Sequence, residues 1–364
     1  MRRIIISILL IALMGLFTPI YGEPALEKQV PEPPAVSAQN AIVIEADSGK
    51  VLYEKNADEK AYPASITKIL TALLAIENGD LEKKVKVSQN AAGVEGSSIY
   101  LEKGEKIPLR DLVYGLMLRS GNDAAIAISE AIGGTTDNFV AMMNERAKEI
   151  GAVNTHFMNP NGLHHDEHYT TARDMALISR EAMKNEEFKT VARAKSWITD
   201  RGVGKYNYFY NKNKVIYQYE GGTGIKIGYT KAAGRTLVAS SERNGMELIC
   251  VVLNAPDWFN DTYKLMDYVY NNYEKILIAP GQRPLKAVKV IKGCKDFVYV
   301  GPKQDITIPG MKETNSNISI EYVMSTGIKA PVCRWQKAGE LKIYVNNEYI
   351  YSAPLFYLED IDRK

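Results

Sequence analysis

The chain of 364 residues predicts an α+β fold, a mainly antiparallel sheet interrupted by inserted helices, followed by a small β-sandwich domain. Three observations predict it. Strand-like runs stand on both sides of a long helical stretch, at 41–45 and 51–54 before it and at 224–230, 235–240 and 246–254 after it. That order differs from the alternating strand–helix pattern of a parallel sheet. Beyond Ala279-Pro280-Gly281 come only short alternating strands, with turn signals at Lys292-Gly293, Gly301-Pro302 and Pro309-Gly310. A chain this long also exceeds one hydrophobic core, so two domains are expected.

The elements follow in order. Arg2-Arg3 and the apolar run 4–17 read as a secretory leader, residues 1–22, with an uncleaved anchor as the alternative reading because Ile20-Tyr21-Gly22 is not a clean small-x-small site. Residues 23–38 are rich in Pro, Glu and Ala without periodicity and read as a flexible linker. The first domain is expected over 39–278 and the β-sandwich over 279–364. Ile69 to Ile76 is apolar nearly all round, the pattern of a buried helix entered at Pro63 and stopped at Gly79. Helices are expected at 109–118 and 123–132, joined by the polar turn Ser120-Gly121-Asn122, where Asn122 suits an N-cap. Thr171 with Asp174 three residues on marks another helix start, and a helix over 261–276 closes the domain. In the sandwich, Asn346-Asn347 between two β-rich runs predicts a tight hairpin.

Chemistry enters with Ser65-Ile66-Thr67-Lys68 at the head of the buried helix. Positions i and i+3 share a helix face, so the serine hydroxyl and the lysine amine can meet. A serine is a weak nucleophile until a base takes its proton, and a desolvated lysine can be neutral enough to do so. A solvated lysine one turn after a helix-start serine is the plain alternative, but an all-round apolar helix gives such a lysine no water. Ser120-Gly121-Asn122 and then Lys226-Ile227-Gly228 follow in the chain. Ser-x-x-Lys, Ser-x-Asn and Lys-x-Gly in that order is the combination of class A β-lactamases and penicillin-binding proteins.

On these motifs the chain resembles a low-molecular-mass penicillin-binding protein of the serine D-alanyl-D-alanine carboxypeptidase family. Asp47-Ser48-Gly49-Lys50-Val51-Leu52-Tyr53, Asn159-Pro160-Asn161-Gly162-Leu163, His168 to Ala176 and Ala233 to Ala239 extend the resemblance over nearly the whole mature chain. It implies a β-lactamase/transpeptidase-like first domain and removal of the terminal D-Ala from peptidoglycan stem peptides. It also implies covalent inhibition by β-lactams. By the same resemblance Ser65 attacks, Lys68 is general base and Ser120 relays the proton to the leaving amine. Asn122 holds the substrate backbone, Lys226 supplies positive charge, and the N–H groups of Ser65 and Tyr229, beside Gly228, form the oxyanion hole. No metal or organic cofactor is implied.

One departure stands out: the family's Lys-Thr-Gly is Lys226-Ile227-Gly228 here. Isoleucine cannot donate the hydrogen bond that the threonine gives the substrate carboxylate. Strand alternation would turn Ile227 away from Lys226, and Thr230 offers a hydroxyl nearby, with Arg235 or Arg243 next in line. Two rival functions remain, a class A-like β-lactamase and a wall- or penicillin-binding module with turnover impaired at Ile227. The first would need a glutamate to activate water, and neither Glu167 nor Glu181 has a matching local motif.

Composition narrows the field further. The formal net charge is +2, falling to zero once Arg2 and Arg3 leave with the leader, so nothing suggests nucleic acid. Cys250, Cys294 and Cys333 are scattered and odd in number, without metal or disulfide spacing. His164-His165-Asp166-Glu167-His168 satisfies a zinc-type pattern literally, but it lies between a turn and a helix cap and reads as a polar loop. The sequence shows no amphipathic segment at its end of the kind many relatives use on membranes, so the exported protein is expected to be secreted or wall-associated.

Overall fold

The computed structural model describes residues 31–312 and 317–364. The expected leader lies outside them. A five-stranded antiparallel sheet organises the first domain. Its order in space is Val51–Lys55, Asn40–Glu45, Met246–Leu253, Gly234–Arg243 and Gly222–Thr230, so strands from both ends of the domain pair at its centre. The side-chain period of two divides each strand between two cores. Ile42, Ile44, Val238, Ile249 and Val251 face the helical body, whereas Val43, Leu237, Ala239, Cys250 and Val252 pack under the closing helix Trp258–Asn272.

Between the two sets of strands the chain builds the helical body. The helix Lys68–Asn78 runs through its middle, buried from Lys68 to Ala75, as its all-round apolar pattern requires. Leu109–Arg119, Asn122–Gly133 and Ala172–Met183 pack around it. The Thr171 hydroxyl caps the last of these, accepting the Asp174 N–H at 3.0 Å.

Three expectations need correction. The closing helix stops at Asn272, because residues 273–279 form a strand paired with Ile306–Met311. Asn122 is the first helical residue and Gly121 the cap, which frees the Asn122 side chain for other partners. The linker does not run free to residue 38. Ser37 and Ala38 donate to the buried Asp261 carboxylate at 2.7 to 3.0 Å, and Lys55 holds the carbonyls of Val36 and Ala38. A buried carboxylate needs such donors, and the chain beside it supplies them.

The C-terminal domain is a six-stranded sheet packed with the two-stranded ribbon Tyr273–Ala279 and Ile306–Met311 around a dry core that includes Val288, Val298, Leu341 and Leu355. Asn346 and Asn347 both take positive φ, 52° and 67°, in the tight hairpin expected there. Among the described residues no helix is long and apolar enough to cross a membrane.

Candidate active site

Ser65 lies in a single 3₁₀ turn, Ala64–Thr67, that feeds directly into the buried helix. In a 3₁₀ turn residues i and i+3 eclipse, which brings Lys68 over Ser65 more directly than an α-helix would. Lys68 Nζ is 3.0 Å from Ser65 Oγ. Ala64 takes a left-handed φ of 51°, local strain held by the contacts around it. Gly162 leaves the room this needs, since a Cβ there would come 2.0 Å from the Ala64 carbonyl oxygen.

Lys68 is fully buried and has no carboxylate partner among the described residues. Its nitrogen donates to Asn122 Oδ1 at 2.8 Å and to the Asn161 carbonyl. Burial drives its pKa well below the usual lysine range; Lys226 and Lys212 push the same way by repulsion, and Asp123 opposes them. Asn122 is held in turn by its Nδ2 donating to the Glu95 carbonyl at 2.6 Å. Asn161 belongs to the segment that the Thr71 hydroxyl pins through the Pro160 carbonyl at 2.6 Å.

Lys226 is also buried, and donates to the Ile227 carbonyl at 2.9 Å. Burial, with help from Lys212, holds its pKa down at about 7. Gly228 lets the edge strand approach the nucleophile, because a Cβ there would stand 2.8 Å from the Ser65 nitrogen. Thr236 on the neighbouring strand ties that junction by donating to the Pro63 carbonyl at 2.9 Å. Tyr229, next along, keeps its ring exposed. Ser120 ends its helix in a left-handed turn, φ 64°; the residue is largely buried, and its hydroxyl has no hydrogen-bond partner among the described residues.

The expected substitutes for the missing threonine each have a partner within the fold. Ile227 packs into the core under the closing helix, opposite Lys226. The Thr230 hydroxyl accepts the Ala233 N–H at 3.0 Å, which ties it to the hairpin turn and leaves its own proton free to donate. Arg235 donates to the Pro256 carbonyl, and Arg243 is taken up by Asp267 and the Glu220 carbonyl. A different cation, Lys212, is exposed, and its side chain has no hydrogen bond or ion pair among the described residues. Its backbone N–H binds the Leu118 carbonyl at 3.2 Å, two residues before Ser120. Sequence reading gave no role to Lys212, which falls in no motif, or to Asn161, which entered only as part of the segment 159–163 and acts through its backbone carbonyl.

Within the histidine cluster, which lies in a loop, His168 braces the site. His168 is buried with its pKa lowered by desolvation to about 3. Its Nδ1 accepts the Met158 N–H, and its Nε2 meets the Thr67 hydroxyl at 2.8 Å, bracing the turn beside Ser65. Glu167 is exposed and Glu181 is spent on Lys184 and Arg146.

Residues 27–257 match the D-alanyl-D-alanine carboxypeptidase family. The chain belongs to that family. Residues 273–363 match the penicillin-binding protein 5 C-terminal domain, in step with the strand that begins at Tyr273. D-alanyl-D-alanine carboxypeptidase DacF of Bacillus subtilis is 34% identical over 100% of this chain and 95% of its own length. DacC of Escherichia coli is 30% identical over 92% of this chain and 87% of its own. Penicillin-binding protein 5 of Haemophilus influenzae superposes with a TM-score of 0.73 at 29% identity, covering 91% of this chain and 99% of that one. The family thus spans both domains, as the motifs and the sandwich implied.

Proposed function

We propose that this protein is an exported serine-type D-alanyl-D-alanine carboxypeptidase that trims peptidoglycan stem peptides through an acyl-enzyme. The observation that carries the catalytic reading is the set of partners around Lys68. A neutral amine has two N–H groups and one lone pair. Asn122 Oδ1 and the Asn161 carbonyl take the two N–H groups, leaving the lone pair for the proton of Ser65 Oγ. Ser65 Oγ then attacks the carbonyl of the penultimate D-Ala. The oxyanion develops near the backbone N–H groups of Ser65 and Tyr229, which the lack of a side chain at Gly228 allows to converge.

The C–N bond breaks as the leaving D-Ala amine takes a proton through Ser120, and water hydrolyses the ester to regenerate Ser65. The substrate backbone lies along the edge strand beside Asn122. Lys226, supported by Lys212, attracts the terminal carboxylate, to which the Thr230 hydroxyl can add its proton whereas Ile227 cannot. β-Lactams acylate the same serine. No observation favours a β-lactamase, since Glu167 is exposed and Glu181 is taken up by Lys184 and Arg146. Nor does Ile227 argue for a dead module, since its side chain packs on the other face. Export rests on the leader-like sequence of residues 1–22.

Labelling with a fluorescent penicillin and assay of D-Ala release from a D-Ala-D-Ala peptide test the reading together. Wild type should give both signals, the label mapping to the peptide with Ser65, and Ser65→Ala should give neither. Label that survives in Ser65→Ala, or that maps to Ser120, overturns the assignment.

A further inference from the structure

The C-terminal sheet carries an unpartnered face of unusual make-up. In the hairpin Lys286–Ile291 and Phe297–Gly301, the residues Val288, Val290, Val298 and Val300 point into the core. The register pairs Lys289 with Phe297, Ala287 with Tyr299, and Ile291 with Lys329 of the adjoining parallel strand. Alternation therefore puts those residues together on the opposite face. Ile291, Phe297 and Tyr299 are 52%, 57% and 53% exposed there. Apolar side chains are normally scattered singly on a surface, and three on adjoining strands, two of them aromatic, make a patch.

Cations surround the patch. Lys289 and Lys329 stand within it, and Lys303 sits 4.2 Å over the ring of Phe356, which pairs with Gly301 on the next strand. Two acids of the same region are already engaged, Glu340 by Lys337 and Glu359 by Lys295. Exposed aromatic and aliphatic side chains among lysines suit the boundary between anionic headgroups and acyl chains. A dissolved polyanion would need the lysines but gain little from Ile291 and Phe297. That contrast decides the occupant.

We propose that this face of the C-terminal sheet docks on the surface of an anionic phospholipid bilayer, with Ile291, Phe297 and Tyr299 entering the interface and Lys289, Lys303 and Lys329 contacting headgroups. The attachment is peripheral and reversible. It is separate from the catalytic chemistry and does not rest on it.

Co-sedimentation with vesicles tests the proposal on residues 31–364, the unit that is compact on its own and omits the apolar leader. The protein should pellet with equimolar phosphatidylcholine and phosphatidylglycerol vesicles, and far less with phosphatidylcholine alone. Lys289→Gln and Lys329→Gln should each weaken partition about 5-fold. Phe297→Ser should weaken it about 10-fold. D-Ala release by the same preparations should be unchanged in all variants, which shows that they are folded and separates this test from the catalytic one. Failure of the wild type to partition overturns the proposal. So does partition that falls with the lysine variants but ignores Phe297→Ser, which would mark a polyanion site.

Discussion

Lys226 and Ile227 are neighbours on one strand, yet they belong to different chemical worlds. Lys226 enters the helical side of the sheet, where Lys68 lies buried in a polar pocket of carbonyl and amide groups. Ile227 enters the opposite side, among Leu237, Val252 and the closing helix. On that dry side burial pushes the Cys250 thiol up to about 12, so it stays neutral and acts as packing. On the polar side the same burial, acting on lysines, lowers their pKa and makes a base. One physical cause disables a titratable group on one face and arms it on the other.

The contrast breaks most sharply at Lys68. Lys68→Ala should lower acylation by roughly 10²–10⁴-fold with a cooperative melt retained, measured as the second-order rate of penicillin labelling. A loss under tenfold would mean that another group takes the Ser65 proton.

Lys212 tests whether the polar side also recruits charge from its rim. Lys212→Gln should cut kcat/KM for a D-Ala-D-Ala peptide roughly 5- to 10-fold. Hydrolysis of an uncharged N-acyl-D-alanine ester should hold, because that donor lacks the carboxylate. Equal losses on both donors would assign Lys212 to the lysine pair rather than to substrate.

Lys226 shows what the polar side costs in stability. Its pKa falls from the ordinary 10.5 to about 7 on folding, so between those values the unfolded chain holds a proton that the folded one has released. The penalty is fully present below about 7 and shrinks as pH rises toward 10.5. Lys226→Met should therefore melt higher than wild type at neutral pH, gain less from alkali, and lose D-Ala release. A lower Tm for the variant would contradict this reading of the pocket.

The smallest effect belongs to the dry side. Ile227→Thr restores the family's residue, but the side chain faces the closing helix. Turnover should change less than about threefold, with a stability loss of about 1 kcal/mol from the hydroxyl placed in that core. A large gain in turnover would show that the edge strand twists enough to bring position 227 to substrate.

The sequence by itself determined whatever depends on near neighbours. Ser65 and Lys68 three residues apart, the Thr171 cap, the Asn346-Asn347 turn and the alternation that separates Ile227 from Lys226 are short-range patterns, set by backbone geometry and side-chain period. The end of the closing helix was not legible, because residues 273–276 suit a helix alone and become strand only beside Ile306–Met311. The docking of residues 37 and 38 on Asp261 was hidden for the same reason, as were Asn161 and Lys212 at the site. Tertiary structure decided these, because desolvation and charge repulsion depend on which distant segments close over a group. A lysine becomes a base only when the fold removes its water.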